Sequence, residues 1–178
     1  MVCSCALQVQ VGLPSGITRK PVLVYYLAMS LRSLLKQIAT LWFIGYLPVA
    51  PGTWGSFAGL VFVALVPVSL PALLGTIVGG TVLGIIAADA AEKAIGQADS
   101  GHIIIDEFIG YLVSVVFVPR TYGYLVAAFL LFRFFDILKP FPIRTVEKKL
   151  SGGLGVMADD ILAGMVTNLV LQIWKMSF

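Results

Sequence analysis

Charge, histidine and cysteine are all scarce in this chain of 178 residues, and each shortage closes a chemical route. There is one histidine, His102. Mechanisms that need two therefore fail, including lipid phosphatases that pass through a phosphohistidine. Ser100-Gly101-His102 carries part of their signature without the second histidine. The two cysteines, Cys3 and Cys5, sit in an unpatterned tail. A pair that close makes no easy disulfide and offers only two metal ligands, so it reads as inert. No Cys-x5-Arg loop, Asp-x-Asp pair or Asp-x2-Asp-Gly pattern occurs. Thiol phosphatases, aspartyl-phosphate enzymes and CDP-alcohol phosphotransferases drop out with them.

The shortage of charge decides the class. Charged residues make up 12% of the chain and hydrophobic ones 59%, with a mean hydropathy of +0.99. Soluble domains carry about 25% charge, so the composition is that of an integral membrane protein. Its length fits one compact domain. The net charge of +3 is scattered, with no basic stripe and no basic–aromatic interleaving, which argues against nucleic acid. An anionic membrane surface or a phosphorylated substrate suits the cations better. Residues 1–28 match nothing that follows and read as a disordered or weakly helical extension, with Met29 as an alternative start. The membrane domain is then 29–178.

Residues 57–88 carry no charge. One helix of that length would run about 48 Å, against a hydrocarbon core of about 30 Å. Pro67 and Pro71 divide it, predicting a helical hairpin with arms near 56–69 and 72–94. Residues 108–132 are apolar apart from Arg120, and Pro119-Arg120-Thr121 breaks them into a second hairpin. Flanking helices are expected near 30–46 and 159–175, giving an all-α fold. Each hairpin leaves the membrane on the side it entered. Segments 45–56, 89–107 and 133–160 therefore converge on one face, and the turns at 67–71 and 119–121 lie on the other. Lys93, Arg133, Lys139, Arg144, Lys148 and Lys149 fall on the convergent face, which the positive-inside rule makes cytoplasmic.

The same face collects the acids. Only nine residues are acidic, and six lie in three clusters: Asp99 with Asp106-Glu107, Asp136, and Asp159-Asp160. Charges beside hydrocarbon cost several kcal/mol, about 2.5 or more at mid-bilayer, so they point to function. Clustered carboxylates shift toward protonation unless a cation sits among them. Hard oxygen ligands favour Mg2+, Ca2+ or Mn2+ over zinc, for which no Cys/His set exists. A divalent ion polarises a phosphoryl group, while lysine and arginine neutralise developing charge. The constellation suits phosphomonoester hydrolysis, by activated water or by a nucleophilic carboxylate.

Plainer roles compete residue by residue. Asp159-Asp160 follow Gly152, Gly153 and Gly155 and precede an apolar helix, so one can be an N-cap. Arg133 and Asp136, at i,i+3, can simply pair. Lys148-Lys149 read as headgroup contacts. Asp89, Glu92 and Lys93 read as a solvated helix end, outside the catalytic set, and His102 as a polar loop residue. The loop 47–56 holds two prolines, two glycines and two hydroxyls before a helix. Gly52, Thr53 and Ser56 there can form a phosphate cradle from backbone N–H groups and a helix N-terminus.

Four ordered motifs carry a family resemblance. They are Gly45-Tyr46-Leu47-Pro48-Val49-Ala50-Pro51-Gly52-Thr53-Trp54-Gly55-Ser56; Asp99 through Ile105-Asp106-Glu107-Phe108-Ile109-Gly110; Phe132-Arg133-Phe134-Phe135-Asp136-Ile137-Leu138-Lys139-Pro140-Phe141-Pro142-Ile143-Arg144; and Gly152-Gly153-Leu154-Gly155-Val156-Met157-Ala158-Asp159-Asp160 with Ala163-Gly164. From about residue 40 to 175 the chain resembles phosphatidylglycerophosphatase A, a bacterial inner-membrane lipid phosphatase. The resemblance implies a helical fold and Mg2+-dependent conversion of phosphatidylglycerol phosphate to phosphatidylglycerol. Matching positions are Asp106, Glu107, Asp136, Asp159 and Asp160 as catalytic acids, with Asp99 alongside, and Arg133, Lys139 and Arg144 as phosphate-binding cations. Asp106, Asp136 and Asp160 are expected first as Mg2+ ligands, with Glu107 or Asp159 completing the shell or acting as base.

Three rival readings stay open. An ion-coupled transporter or channel would place its carboxylates within helices at mid-membrane depth. A non-catalytic lipid-binding protein would not need so many acids near an anionic lipid. A phosphatase for another lipid phosphate, such as phosphatidic acid, would use the same chemistry.

Overall fold

The structure is a computed structural model that describes residues 22–96 and 100–177, with side chains described from residue 29 onward except at 147 and 148. Among these residues the regular structure is entirely helical. The helices are α1 (Val22–Ala39), α2 (Pro51–Leu65), α3 (Leu70–Ile95), α4 (Ile105–Ser114), α5 (Tyr122–Leu138), α6 (Ile143–Lys149) and α7 (Gly152–Ser177), with a short 3-10 turn at Ile44–Tyr46. Both chain reversals are present, α2 to α3 and α4 to α5; α4 packs on α5, whereas α2 and α3 pack against α4 rather than extensively on each other. The two turns share one end of the molecule, where Leu70, Pro119, Arg120 and Lys175 line a common cavity.

Boundaries moved where proline and glycine were read as loop. Helix α2 starts at Pro51 rather than near 56, with proline in the first turn, where its missing N–H costs nothing. Helix α1 spans Val22–Ala39, earlier than the expected 30–46. The largest correction concerns α7, expected from Asp159 but beginning at Gly152. Asp159 and Asp160 therefore lie inside the helix, and the N-cap reading of the pair fails. The glycines ahead of them are packing residues: a side chain on Gly153 would collide with the Ile85 carbonyl of α3. Asp89, read as a solvated helix end, accepts a hydrogen bond from the Gly153 N–H at 2.8 Å, tying α3 to the first turn of α7. Asp99, expected beside the acid cluster, lies outside the described residues, as does the extension through residue 21.

Helices α3 and α7 have 26 residues each, about 39 Å, and are long and apolar enough to cross a membrane. Large apolar side chains face outward as well as inward: Leu74, Val78, Val82 and Ile86 are exposed on α3, and Met165, Leu169 and Ile173 on α7. Such outward faces call for hydrocarbon rather than water. The protein is a membrane protein.

Helix α4 is the centre of the fold. It has only 10 residues, and it packs most extensively on α7 and α2. Gly110 and Gly164 bring the α4 and α7 backbones together, since a side chain on Gly164 would meet the Gly110 carbonyl and one on Gly110 the Asp160 carbonyl. A helix ending this early leaves carbonyls that need donors. Helix α7 supplies them. Asn168 Nδ2 donates to Ser114 O and Val116 O at 3.0 and 2.7 Å, Gln172 Nε2 to Val116 O at 3.1 Å, and Lys175 Nζ to Phe117 O at 3.2 Å. On the other side the Tyr111 hydroxyl donates to Leu125 O of α5 at 3.1 Å. Three helices are thereby fixed in register, and the acids ride on that register.

Candidate active site

The acids come from three helices. Asp106 and Glu107 occupy the first turn of α4, Arg133 and Asp136 the C-terminal part of α5, and Asp159 and Asp160 the interior of α7. One oxygen each from Asp106, Glu107 and Asp160 lies within 4.8 Å of the others. Asp106 is 8% exposed and Asp160 3%. Asp106 Oδ1, Glu107 Oε2 and Asp160 Oδ2 are buried without a hydrogen-bond partner. Buried carboxylate oxygens are normally satisfied, so a close carboxylate group in which each member keeps an unpartnered buried oxygen needs a cation or protons. Their donor set, all hard oxygens, fits a divalent ion of the Mg2+ type.

Electrostatics gives the same answer for α4, which is too short to span. Burial, then the charge of Glu107, pushes the Asp106 carboxyl well above the usual carboxylate range. Burial also raises Glu107, against the lowering influence of its hydrogen bond with Asp106 and of Arg133.

Asp136, expected with Asp106 and Asp160 as a first metal ligand, is ion-paired with Arg133 and also in side-chain hydrogen-bond contact with Asp160. Its charge still acts on Glu107 and Asp160. Lys139, at the C-terminal end of α5, reaches across to Asp159, Nζ to Oδ2 2.6 Å. Two cation–carboxylate pairs thus flank the three-oxygen cluster. Arg133 also keeps a buried Nε without a hydrogen-bond partner. Arg144 is exposed at the start of α6.

The loop 47–56 contributes less than its composition promised. A side chain on Gly52 would overlap Glu107 Oε1 and touch Arg133 Nη1, so the missing Cβ is what lets the α2 N-terminus meet the site. Ser56 does not present its hydroxyl: it is fully buried, and Oγ donates to Gly52 O at 3.0 Å. The Thr53 and Trp54 N–H groups both donate to Ala50 O, and the Thr53 side chain is half-buried. Of the expected cradle, Gly52 is the residue brought against the cluster.

A family model described as phosphatidylglycerophosphatase A matches residues 37–175. The chain belongs to the phosphatidylglycerophosphatase A family. Its relatives include a phosphatidylglycerophosphatase A of Haemophilus influenzae, 39% identical over 142 residues, covering 74% of this chain and 85% of that one. The phosphatidylglycerophosphatase A of Escherichia coli is 34% identical over 131 residues, 71% of this chain and 75% of its own. A Bacteroides thetaiotaomicron protein named a putative phosphatidylinositol-3-phosphatase is 39% identical over 138 residues, 72% of this chain and 86% of its own. No solved structure matches. In phosphatidylglycerophosphatase A terms, all four motifs read from the sequence fall inside the matched region. The arrangement of their side chains comes from the structure alone.

Asp89 is the residue that sequence reasoning left aside. Its hydrogen bond holds the turn of α7 that leads to Asp159 and Asp160. Nothing in its local sequence marks it, because its partner lies 64 residues away.

Proposed function

We propose that this phosphatidylglycerophosphatase A family member is a Mg2+-dependent phosphoric monoester hydrolase that removes the terminal phosphate of phosphatidylglycerol phosphate, leaving phosphatidylglycerol. The observation that carries the proposal is the trio of orphaned oxygens on Asp106, Glu107 and Asp160, flanked by Arg133 and Lys139. Those three residues would hold the ion, which supplies Lewis-acid polarisation and charge neutralisation at a phosphoryl oxygen. Arg133, with Nε uncommitted, binds a phosphate oxygen, and the α2 N-terminus at Gly52 adds its partial positive charge. Asp136 holds the guanidinium for that task. With Glu107 in the ion's group, Asp159 is the carboxylate left to take a proton from the attacking water. Lys139 orients Asp159 and steadies the developing charge. Water adds to phosphorus, its proton passing to Asp159; the bond to the glycerol oxygen breaks, and that oxygen takes up the proton returned from Asp159 and leaves as the lipid alcohol.

A site at a membrane surface of a multi-pass protein fits the surface aromatics. Trp42, Tyr46 and Trp54 are exposed near the acid cluster, and Tyr122 and Trp174 are exposed near the opposite turns. Aromatic side chains favour the two membrane–water interfaces. The basic residues of the site end argue for the cytoplasmic face of the inner membrane, where the acyl chains stay in the bilayer while the headgroup enters. A transporter pathway is less favoured because Asp106, Glu107 and Asp136 sit at the ends of their helices, with Asp159 and Asp160 alone inside one, in the N-terminal part of α7.

The test is phosphate release by purified protein in detergent from three lipids: phosphatidylglycerol phosphate, phosphatidic acid and phosphatidylinositol 3-phosphate. The third lipid is included because of the name carried by the Bacteroides relative. Release from the first, abolished by chelation and by Asp106→Asn, is expected. Faster release from either of the others reassigns the substrate. No metal-dependent release from any of the three removes the enzyme reading.

A further inference from the structure

The outer face of α5 continues beyond the helix. Val126, Leu130, Phe134 and Ile137–Leu138 are exposed at successive turns, an apolar lane at i,i+4 spacing. The lane does not end in polar residues. It ends on Phe141, 85% exposed, in the elbow between α5 and α6. An aromatic side chain so bare loses its hydrophobic gain in water and is at home in the acyl–headgroup boundary. Cations follow at once: Arg144 and Lys149 are exposed on α6, while Ile143 between them and Phe141 is fully buried and pins the elbow to the body. Lys139, two residues before Phe141, turns the opposite way and meets Asp159. One elbow therefore carries an outward apolar wedge, a basic rim and an inward site lysine.

We propose that the α5–α6 elbow is an interfacial anchor for an anionic phospholipid leaflet, with Phe141 seated below the headgroups and Arg144 and Lys149 among them. Its seating sets the depth at which the Lys139–Asp159 pair meets a lipid headgroup. The occupant is lipid because the apolar lane is continuous with the lipid-facing side of α5, and because the rim is cationic. A protein partner would have to lie within the bilayer to cover the same strip. The inference rests on the membrane reading above and names the surface by which that site meets its substrate.

The test is a nitroxide on Phe141→Cys in a full-length Cys3→Ser/Cys5→Ser background, reconstituted into phosphatidylcholine vesicles containing phosphatidylglycerol. Phe134→Cys serves as the apolar reference and Lys93→Cys as the aqueous one. The expected result is oxygen accessibility like that at 134 and at least fivefold less accessibility to a water-soluble nickel chelate than at 93. Arg144→Gln/Lys149→Gln should at least double chelate access at 141. Chelate access equal to that at 93, or shielding from oxygen and chelate alike as under a protein partner, overturns the proposal. Leu138→Cys gives the same reading where Phe141→Cys fails to fold. Probe depth does not depend on turnover, so a seated elbow in a protein that releases no phosphate would refute the proposed function and leave the anchor standing.

Discussion

Adding one methyl group at Gly52 should separate activity from stability. The substituted Cβ would overlap Glu107 Oε1 and contact Arg133 Nη1 at 3.4 Å, so Gly52→Ala must displace the Glu107 carboxylate from its place beside Asp106 and Asp160. Glu107 is a long side chain and can swing aside, so the fold survives. Helix propensity moves the other way, since alanine is better than glycine by up to about 1 kcal/mol within a helix and by less in its first turn. Disturbing a group that orients a metal ligand typically costs about 10–100-fold in affinity or activity, and displacing the ligand itself should reach the upper end. The expected signature is an unchanged or slightly higher melting temperature with a Mg2+ requirement raised by about 100-fold. Gly75→Ala and Gly79→Ala are the controls, because nothing lies within 4 Å of a side chain at either position. The assay is a Mg2+ activation curve beside thermal unfolding in the same detergent. A Gly52→Ala protein with the unaltered activation curve would refute the placement of Glu107.

Three further outcomes follow from the same geometry. Asn168→Leu removes the donor to Ser114 O, while Val116 O keeps Gln172 Nε2, and leaving the Ser114 carbonyl without that donor should cost about 1–3 kcal/mol, read from unfolding in detergent. Lys139→Met removes the ammonium 2.6 Å from the mostly buried Asp159; breaking a fully buried pair costs about 3–5 kcal/mol, and partial exposure should reduce this to about 1–3, with most of it recovered in Lys139→Met/Asp159→Asn. In metal-free protein the raised Asp106 carboxyl keeps a proton that the unfolded chain releases above about pH 4. The native state then binds more protons, so melting temperature should fall as pH rises through that window; saturating Mg2+ or Asp106→Asn should flatten the slope, and an unchanged slope in Asp106→Asn would contradict it.

The two hairpins and their shared faces were legible because their signals are coarse: long uncharged runs cut by Pro67, Pro71 and Pro119 allow few topologies. Boundaries were not, because glycine and proline have different meanings in helices that pack tightly. Gly153 and Gly155 read locally as a stretch ahead of the helix, but they and Gly164 each mark a place where another backbone group comes too close for a side chain. The acids were identifiable from their cost in an apolar chain. Their grouping was not, because it depends on the angular register of α4 and α7, fixed by Asn168, Gln172 and Asp89 across separations of 52 to 64 residues. Register also explains Asp136. It lies on α5 in an i,i+3 pair with Arg133, the plainer alternative already visible in the sequence, and its side chain also meets Asp160 of α7, which only the fold shows.

One measurement bears most directly on the central claim that Asp106, Glu107 and Asp160 form a divalent-ion site for phosphomonoester hydrolysis. Chelator-treated protein is titrated with Mg2+ while inorganic phosphate released from phosphatidylglycerol phosphate is counted, for the unaltered chain and for Asp160→Asn. The account predicts no release without the ion, saturable release with it, and at least a 100-fold loss in Asp160→Asn. Full release in the presence of excess chelator, or an Asp160→Asn curve superimposed on that of the unaltered chain, would contradict it.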